Sequence, residues 1–201
     1  MRDYECWSIG GHDLEYIDSE HIYLCDGVIV PSITQILKFK FGGKYNAVDK
    51  RTLQNASEMG TKVHEAIENF CRYGEESDLK ELKNFKFLQK HYGFKVKSNE
   101  IPVILSKGDE IIGAGRLDLV LTDSENKTGL ADIKRTSTLD KDYLAHQLNL
   151  YRIAFEQSWN ESICFLKGIH LREDVRKYVD IPINEEMAWQ FINEYLEGGD
   201  G

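Results

Sequence analysis

Cysteine is scarce in this chain, and paired cysteine motifs are missing from it. The four cysteines are Cys6, Cys25, Cys71 and Cys164, and no two of them lie within a few residues of each other. This spacing excludes the CxxC pairs that hold zinc or an iron–sulfur cluster. We expect reduced thiols in a cytoplasmic protein, with one disulfide between distant cysteines as the open alternative.

Long apolar runs and phosphate-binding loops are missing as well. No segment approaches the roughly 20 apolar residues that span a bilayer. The start of the chain, MRDYECWSIGGHD, has no apolar signal-peptide core. The pattern GxxxxGK[ST] of ATP-driven motors does not occur. We therefore expect a cytoplasmic protein without a membrane partner, and a separate helicase for any ATP-driven unwinding.

Positive charge is in deficit, with 25 Lys and Arg against 34 Asp and Glu and a net charge of −9. Proteins that bind nucleic acid by charge alone are usually basic. The deficit argues against a simple DNA-coating role. It is compatible with an enzyme that brings divalent cations to a phosphodiester, because the ions supply the positive charge locally.

The order of the predicted elements indicates an α/β (α+β) domain with a mixed sheet. Residues 4–30 predict a small β-meander with a turn at Asp26-Gly27. PSITQILKF predicts a short helix capped by Ser32, although Ser32 and Thr34 could instead contact a phosphate. KFKFGGKYN predicts an exposed basic-aromatic loop, either mobile or in contact with DNA.

The remainder of the chain predicts a sheet flanked by helices. Helices are predicted over residues 46–58, 60–73, 78–91, 140–157 and 184–197, with Asn184 as the last cap. Strands are predicted over residues 95–106, 110–122, 128–136, 161–171 and 175–183. We predict an N-terminal meander and short helix over 1–45, a core over 46–197 and a tail over 198–201.

The stretch GRLDLVLTDSENKTGLADIKRT, residues 115–136, places charges in segments that otherwise predict buried strands. These charges belong to Asp118, Asp132 and Lys134. Buried charges cost several kcal/mol each unless they are paired or bind a metal. The three groups therefore either neutralise one another or hold something from outside.

Strand alternation predicts which side chains share a face. On the first strand one face is expected to carry Arg116, Asp118 and Val120, and the other Leu117, Leu119 and Leu121. On the second strand, Leu130, Asp132 and Lys134 are expected to oppose Ala131 and Ile133. The acidic groups and the lysine would then share the side of the sheet that carries Val120 and Leu130.

A hairpin loop centred on Glu125 predicts the register between the two strands. It pairs Val120 with Leu130, Leu119 with Ala131 and Asp118 with Asp132. The last two carboxylates would repel each other, and Lys134 neutralises only part of their charge. A divalent cation with oxygen ligands would resolve the conflict. A buried Asp–Lys ion pair at the end of a sheet is the alternative.

The surrounding motifs resemble the PD-(D/E)XK nuclease superfamily, and in particular its RecB-like branch. GRLDLV, ADIKRT and HQLNLYR occur in the order of that family. Upstream, GTKVHEAIE resembles the helix that supplies a histidine metal ligand in the RecB-like branch. DGVIVPSITQIL resembles a segment of phage-type and mitochondrial genome maintenance exonucleases. Leu117 stands where the superfamily has a proline, which is usual in this branch.

The resemblance implies a restriction-endonuclease-like fold with a catalytic metal, Mg²⁺ or Mn²⁺, and no iron–sulfur cluster. The implied ligands are His64, Asp118, Asp132 and the carbonyl of Ile133. Taken alone, a histidine at this position is more often an ordinary residue of the surface or core of a helix than a metal ligand. Its nitrogen, as a ligand, shifts the preference toward Mn²⁺.

Four other positions match residues that assist catalysis in this family. Lys134 would position and polarise the attacking water. Gln147 and Tyr151 share a helix face and would lie near the metal or a DNA phosphate, although ordinary amphipathic packing also explains them. Glu100, in NEIPV, falls where such nucleases often carry a glutamate on the first strand.

The function implied by the resemblance is metal-dependent hydrolysis of DNA. We expect an exonuclease acting on single-stranded or frayed ends in phage or bacterial recombination and repair, with DNA and a helicase or recombination protein as partners. Two alternatives stay open. One is a non-catalytic nucleic-acid-binding module with the same fold, and the other is a structure-specific endonuclease of the resolvase type.

Overall fold

The computed structural model describes residues 4–43 and 50–198, with the backbone alone for 50–53. Within these ranges it has a four-stranded sheet, a five-stranded sheet and five helices. The four-stranded sheet comes first in the chain, and helices flank the five-stranded one. The predicted class, a mixed sheet flanked by helices with an N-terminal meander, is confirmed.

The N-terminal sheet is an antiparallel meander in the order β1-β2-β3-β4. Its strands are β1 (Tyr4–Ile9), β2 (His12–Ile17), β3 (Ile22–Cys25) and β4 (Val28–Val30). The predicted turn between β3 and β4 is present, with φ of 51° at Asp26 and 78° at Gly27. Two positive φ values are what a tight hairpin turn requires.

The first helix, α1 (Ile33–Phe41), begins with a capping box. Ser32 Oγ accepts a hydrogen bond from Gln35 N at 3.1 Å, and Ser32 N donates to Gln35 Oε1 at 2.7 Å. The prediction of a loop is wrong for residues 38–41, which belong to α1. Phe41 is buried against Tyr143, with ring centroids 5.3 Å apart. Residues 44–46 of that prediction lie outside the described residues.

Two helices follow, α2 (Lys50–Tyr73) and α3 (Lys80–Tyr92). The sequence predicted a break before Gly60, but α2 is continuous there. A glycine within a helix costs only about 1 kcal/mol. Packing of Val63 and Ile67 into the core holds the helix together C-terminal to Gly60. The predicted helical residues 46–49 lie outside the described part of the chain.

The central sheet has the order β5-β6-β7-β8-β9. Its strands are β5 (Lys95–Lys107), β6 (Glu110–Thr122), β7 (Thr128–Lys134), β8 (Phe165–Leu171) and β9 (Arg176–Ile181). Only β7 and β8 pair in parallel among these strands, and α4 (Lys141–Trp159) connects them. The closing helix is α5 (Glu185–Gly198), and Asn184 Oδ1 caps it by accepting from Met187 N at 2.9 Å.

Helices cover both faces of the central sheet. On one face, α1, α4 and α5 form a core with Val120 and Leu130. On the other face, α2 and α3 form a second core with Leu119, Ala131 and Ile133. The sheet is therefore buried on both sides, and polar side chains near the end of β7 lie between two hydrophobic layers.

The predicted hairpin register is confirmed for the apolar pairs. Leu119 lies across from Ala131 and Val120 across from Leu130. The described pairing ends there, one residue short of the predicted pair of Asp118 with Asp132. Instead of a ladder bond, the Asp118 carboxylate accepts the backbone N–H of Ile133 at 2.7 Å.

The predicted alternation along β6 is wrong at Leu117. This residue packs in the α4-side core together with Val120, whereas Leu119 and Leu121 pack in the other core. The change of face occurs at Asp118. Across from it on β5 lies Glu100, whose φ of 50° interrupts the regular strand. Such left-handed backbone at a residue other than glycine is uncommon and concentrates at functional sites.

We predict that Ser32→Ala lowers the free energy of unfolding by about 1 kcal/mol, because α1 loses the side-chain acceptor for its first-turn N–H group. Urea denaturation measures the change. Ser32→Asn keeps an acceptor at the cap and serves as the control, with an expected change of a few tenths of a kcal/mol. Equal losses in both variants would contradict capping as the role of Ser32.

Candidate metal centre

Two acidic side chains come together because their strands are neighbours. Asn99 pairs with Leu119 and Ile101 with Leu117, so Glu100 on β5 and Asp118 on β6 lie at matching positions. The side chains of both are largely buried, with 20% and 16% of their surface exposed. This exposure leaves the pair reachable from water while removing most of its solvation.

The third member, His64, comes from α2 on the face that α2 and α3 cover. Its Nδ1 lies 3.6 Å from Asp118 Oδ2, and its Nε2 lies 3.1 Å from the carbonyl oxygen of Ile133. One potential ligand atom each from His64, Glu100 and Asp118 lies within 4.8 Å of the others. We call these three residues the acidic cluster.

The Asp132–Lys134 pair lies beside the acidic cluster at the end of β7. Lys134 Nζ is 2.6 Å from Asp132 Oδ2. The separation is that of a close ion pair, although the geometry falls short of an aligned hydrogen bond. Asp132 thus lies next to the acidic cluster, but among the described residues its carboxylate contacts Lys134. The ion pair that the sequence left as an alternative to a metal site is present.

Crowding of carboxylates changes the pKa values of the acids. Burial, and then the charge of Asp118, raise the pKa of Glu100 to about 7, and the Arg116 guanidinium opposes this shift. Burial also raises the pKa of Asp132 to about 6, against the pull of Lys134. Both carboxyls would ionise more readily with more positive charge nearby.

The lysine stays charged despite being enclosed. Burial lowers the pKa of Lys134, but the charges of Asp132 and Asp118 outweigh burial, so its pKa is raised overall. The aromatic ring of Tyr143 also faces the ammonium, with the ring centroid 5.8 Å from Nζ. A permanent positive charge is therefore fixed beside the acidic cluster at neutral pH.

Sequence reasoning did not identify Arg116 as part of this site. Its Nε lies 3.4 Å from Glu100 Oε2, its Nη1 lies 3.1 Å from Glu5 Oε1, and its guanidinium lies 4.8 Å from the ring centroid of Tyr16. A charged residue inside a buried strand was a signal that could have identified Arg116. Its partner Glu5, 111 positions away, had no such signal.

The two α4 residues named from the sequence are buried on the opposite side of the sheet from α2. Tyr151 packs so closely on β6 that a Cβ added at Gly115 would lie 3.0 Å from its hydroxyl oxygen. Burial first, and then charges that include Asp118 and Asp132, raise its pKa well above the ordinary value. Gln147 Oε1 is buried and has no hydrogen-bond partner among the described residues.

The donor set of the acidic cluster suits a hard divalent cation. Two ligands on opposite sides of a Mg²⁺ ion lie about 4.2 Å apart, close to the spread of the cluster. Carboxylate oxygens suit Mg²⁺ and Mn²⁺, and the imidazole nitrogen favours Mn²⁺. A cation would also offset the repulsion that raises the pKa of Glu100. His64, Glu100 and Asp118 therefore fit a metal, with the Ile133 carbonyl and Asp132 adjacent.

A second group of potential ligands lies on the meander, at the turn between β3 and β4. It consists of His12, Cys25 and Asp26. Hydrogen bonds already occupy the Asp26 carboxylate, which contacts His12 Nδ1 at 2.7 Å and accepts from Asp13 N at 2.9 Å. These contacts give the group a structural role in closing the turn, so we do not treat it as the metal centre.

We predict that Glu100→Gln stabilises the protein in EDTA at pH 8 by about 1–3 kcal/mol and has little effect at pH 5. The folded-state pKa of Glu100, about 7, exceeds its usual value of 4.5. The folded state therefore binds this proton more tightly, and stability falls as the pH rises from 4.5 through 7. The amide removes that penalty.

Urea denaturation at the two pH values measures this difference. The exposed Glu110→Gln on β6 is the matched control, and its effect should not depend on pH. Identical pH profiles for wild type and Glu100→Gln would contradict the placement of Glu100 beside Asp118.

Comparison with known proteins identifies no family. No family model and no curated protein matches the chain. Among the matching solved structures is one described as the crystal structure of SSO0001, at 13% sequence identity and a TM-score of 0.46, covering 84% of this chain and 75% of that chain. None of the described helices has the length and apolarity needed to cross a membrane.

Proposed function

We propose that this protein is a metal-dependent nuclease that hydrolyses DNA phosphodiester bonds. The observation that carries the proposal is the juxtaposition of the acidic cluster with the buried Asp132–Lys134 pair. Three potential ligand atoms lie within 4.8 Å of one another, and a lysine ammonium is fixed beside them. Such a combination supplies both a cation site and a separate positive charge near it.

Hydrolysis of a phosphodiester needs a nucleophile, stabilisation of the charge on phosphorus and protonation of the leaving oxygen. When bound, Mg²⁺ or Mn²⁺ supplies a water of lowered pKa and a charge that stabilises the phosphorane oxygens. His64, Glu100 and Asp118 would hold the ion, with the carbonyl of Ile133 and Asp132 next to it. The cluster thus provides the ligands, and the remaining tasks belong to other side chains.

Lys134 is the residue best suited to orient the attacking water. Its charge is held in place by Asp132, and hydrogen-bond donors fixed where negative charge develops lower the barrier. Asp118 is held in turn by the N–H group of Ile133, which restricts its orientation. Both groups are therefore preorganised, so little reorganisation is needed during the reaction.

The substrate proposal, single-stranded or frayed DNA ends in phage or bacterial recombination and repair, rests on the resemblance to RecB-like exonucleases. The long helix α2 supplies His64 and lies over one face of the centre. A helix in this place would narrow the approach to the centre, so that only the end of a strand enters. A dimeric resolvase-type enzyme, in contrast, would have to admit the middle of a duplex.

We predict that Lys134→Gln slows digestion of linear single-stranded DNA by about 10²–10³-fold, because the variant has no fixed positive charge beside the reacting phosphate. End-labelled strands incubated with Mn²⁺, Mg²⁺ or EDTA measure the rate. Lys127→Gln, at the opposite end of β7, is the matched control and should digest at the wild-type rate. Wild-type digestion by Lys134→Gln would mean that the site is wrongly placed.

Circular single strands of the same sequence show whether digestion requires a strand end. We expect wild type to digest the linear strand and spare the circle. Rapid cutting of circles would replace the exonuclease proposal with an endonuclease.

We predict that Asp118→Asn weakens Mn²⁺ binding by about tenfold or more, since a neutral amide replaces a charged ligand. Isothermal titration calorimetry with Mn²⁺ alone measures the affinity. Asp109→Asn, in the turn between β5 and β6, should bind as wild type does. Failure of the wild-type protein to bind Mn²⁺ or Mg²⁺ would favour a non-catalytic nucleic-acid-binding module.

A further inference from the structure

Basic side chains gather around a surface cavity next to the end of β7. The cavity has a volume of about 390 Å³, and its lining contains Lys80, Arg135 and Arg172 together with Glu173 and Asp174. The three cations outnumber the two acids of the lining, in contrast to the net charge of −9 on the whole chain. An anion is therefore the ligand class that this cavity suits.

The cations remain available to a ligand. Arg135 Nε donates to the buried Glu81 at 2.7 Å, and the described residues give its terminal nitrogens no partner. Arg172 forms no side-chain ion pair within the described residues. Lys80 pairs with Glu173 at 3.2 Å, but both side chains are more than 60% exposed. An exposed pair of this kind is weak and is readily exchanged for a phosphate.

The cavity continues into an aromatic surface along α3. Lys80, Asn84, Phe87 and His91 share one side of this helix, because they follow its 3.6-residue period. The Phe87 ring lies 3.7 Å from the Arg176 guanidinium carbon on one side and stacks on the His91 ring with centroids 5.6 Å apart. This column joins α3 to β9.

Two aromatic side chains of this surface are accessible to a ligand. Phe87 is 44% and Tyr92 is 50% exposed. Tyr92 contacts the ring of Tyr178 at a centroid distance of 4.7 Å. Aromatic rings and arginine guanidinium planes are the groups on which the bases of single strands stack. From Lys80 to Tyr92 the helix extends about 18 Å, which exceeds the length of one nucleotide.

The position of the cavity connects it to the candidate metal centre. Arg135 directly follows Lys134 in the chain. Lys134 in turn follows Ile133, whose backbone carbonyl contacts His64. Arg135 points toward α3, where it contacts Glu81. The end of β7 therefore lies between the metal centre and the cavity.

We propose that this surface binds single-stranded DNA next to the site of cleavage. The cavity of Lys80, Arg135 and Arg172 holds a backbone phosphate. The bases of the neighbouring nucleotides stack on the exposed Arg176 guanidinium, which the Phe87 ring supports, and on Tyr92. The proposal rests on the proposed nuclease function for the direction of the strand. Binding itself requires no metal, which allows the two to be tested separately.

The test measures affinity for a labelled oligo(dT) by fluorescence anisotropy in EDTA, where cleavage cannot occur. The variants are the double substitution Lys80→Gln/Arg172→Gln and the single substitution Phe87→Ala. Their matched controls are Lys127→Gln and Tyr73→Ala, two exposed residues outside this surface. Arg135 is not substituted, because its removal would leave the buried charge of Glu81 without its partner.

We expect the double variant to bind at least tenfold more weakly at low salt. The slope of log affinity against log salt should fall by about 0.7 for each phosphate that the variant no longer neutralises. Phe87→Ala should bind about fivefold more weakly or worse at every salt concentration, with an unchanged slope. Both controls should match wild type, and thermal unfolding should show all four variants folded.

The outcomes separate this proposal from the nuclease proposal. Wild-type affinity in both variants, with digestion by wild type in Mn²⁺, would overturn the strand path and leave the nuclease in place. Weaker binding in the variants, with no digestion by wild type, would support the surface and reject the nuclease. Absence of oligo(dT) binding by wild type would overturn the surface proposal itself.

Discussion

Repulsion between buried carboxylates governs the centre of this protein. Glu100, Asp118 and Asp132 sit on three neighbouring strands, and burial raises the pKa values of Glu100 and Asp132 to about 7 and 6. Lys134 and Arg116 offset part of the negative charge. Buried charges of this kind cost stability compared with well-packed apolar side chains, and shifted pKa values of this kind cluster at functional sites. Under the proposed function, a divalent cation would complete the balance.

The meander, which is separate from the central sheet, contributes to this balance through one ion-pair chain. Glu5 on β1 contacts Arg116 on β6, and Arg116 contacts Glu100 on β5. Tyr16 packs against the same guanidinium. The N-terminal strands therefore do more than extend the fold, since they hold the arginine that opposes the raised pKa of Glu100. Without this arginine, Glu100 would have less positive charge nearby and a stronger tendency to be protonated.

The sequence predicted features that depend on neighbouring residues. Apolar pairing fixed the β6–β7 register, because a one-residue slip would place every side chain on the wrong face. Asn184 was identifiable as a cap from its place before an amphipathic helix. The face of Leu117 was not predictable, because the alternation changes at Asp118, across from the left-handed backbone of Glu100 on another strand. The contact of Arg116 with Glu5 spans 111 positions and leaves no local pattern.

The end of β7 joins the candidate metal centre to the basic cavity. Lys134 and Arg135 are adjacent, and strand alternation sends their side chains to opposite faces of the sheet. One cation contacts Asp132 beside the acidic cluster, and the other contacts Glu81 under the basic cavity. Each of these two cations is held by a buried carboxylate, so its position is fixed before a ligand arrives. The end of this strand thus holds two preorganised cations in a chain whose net charge is −9.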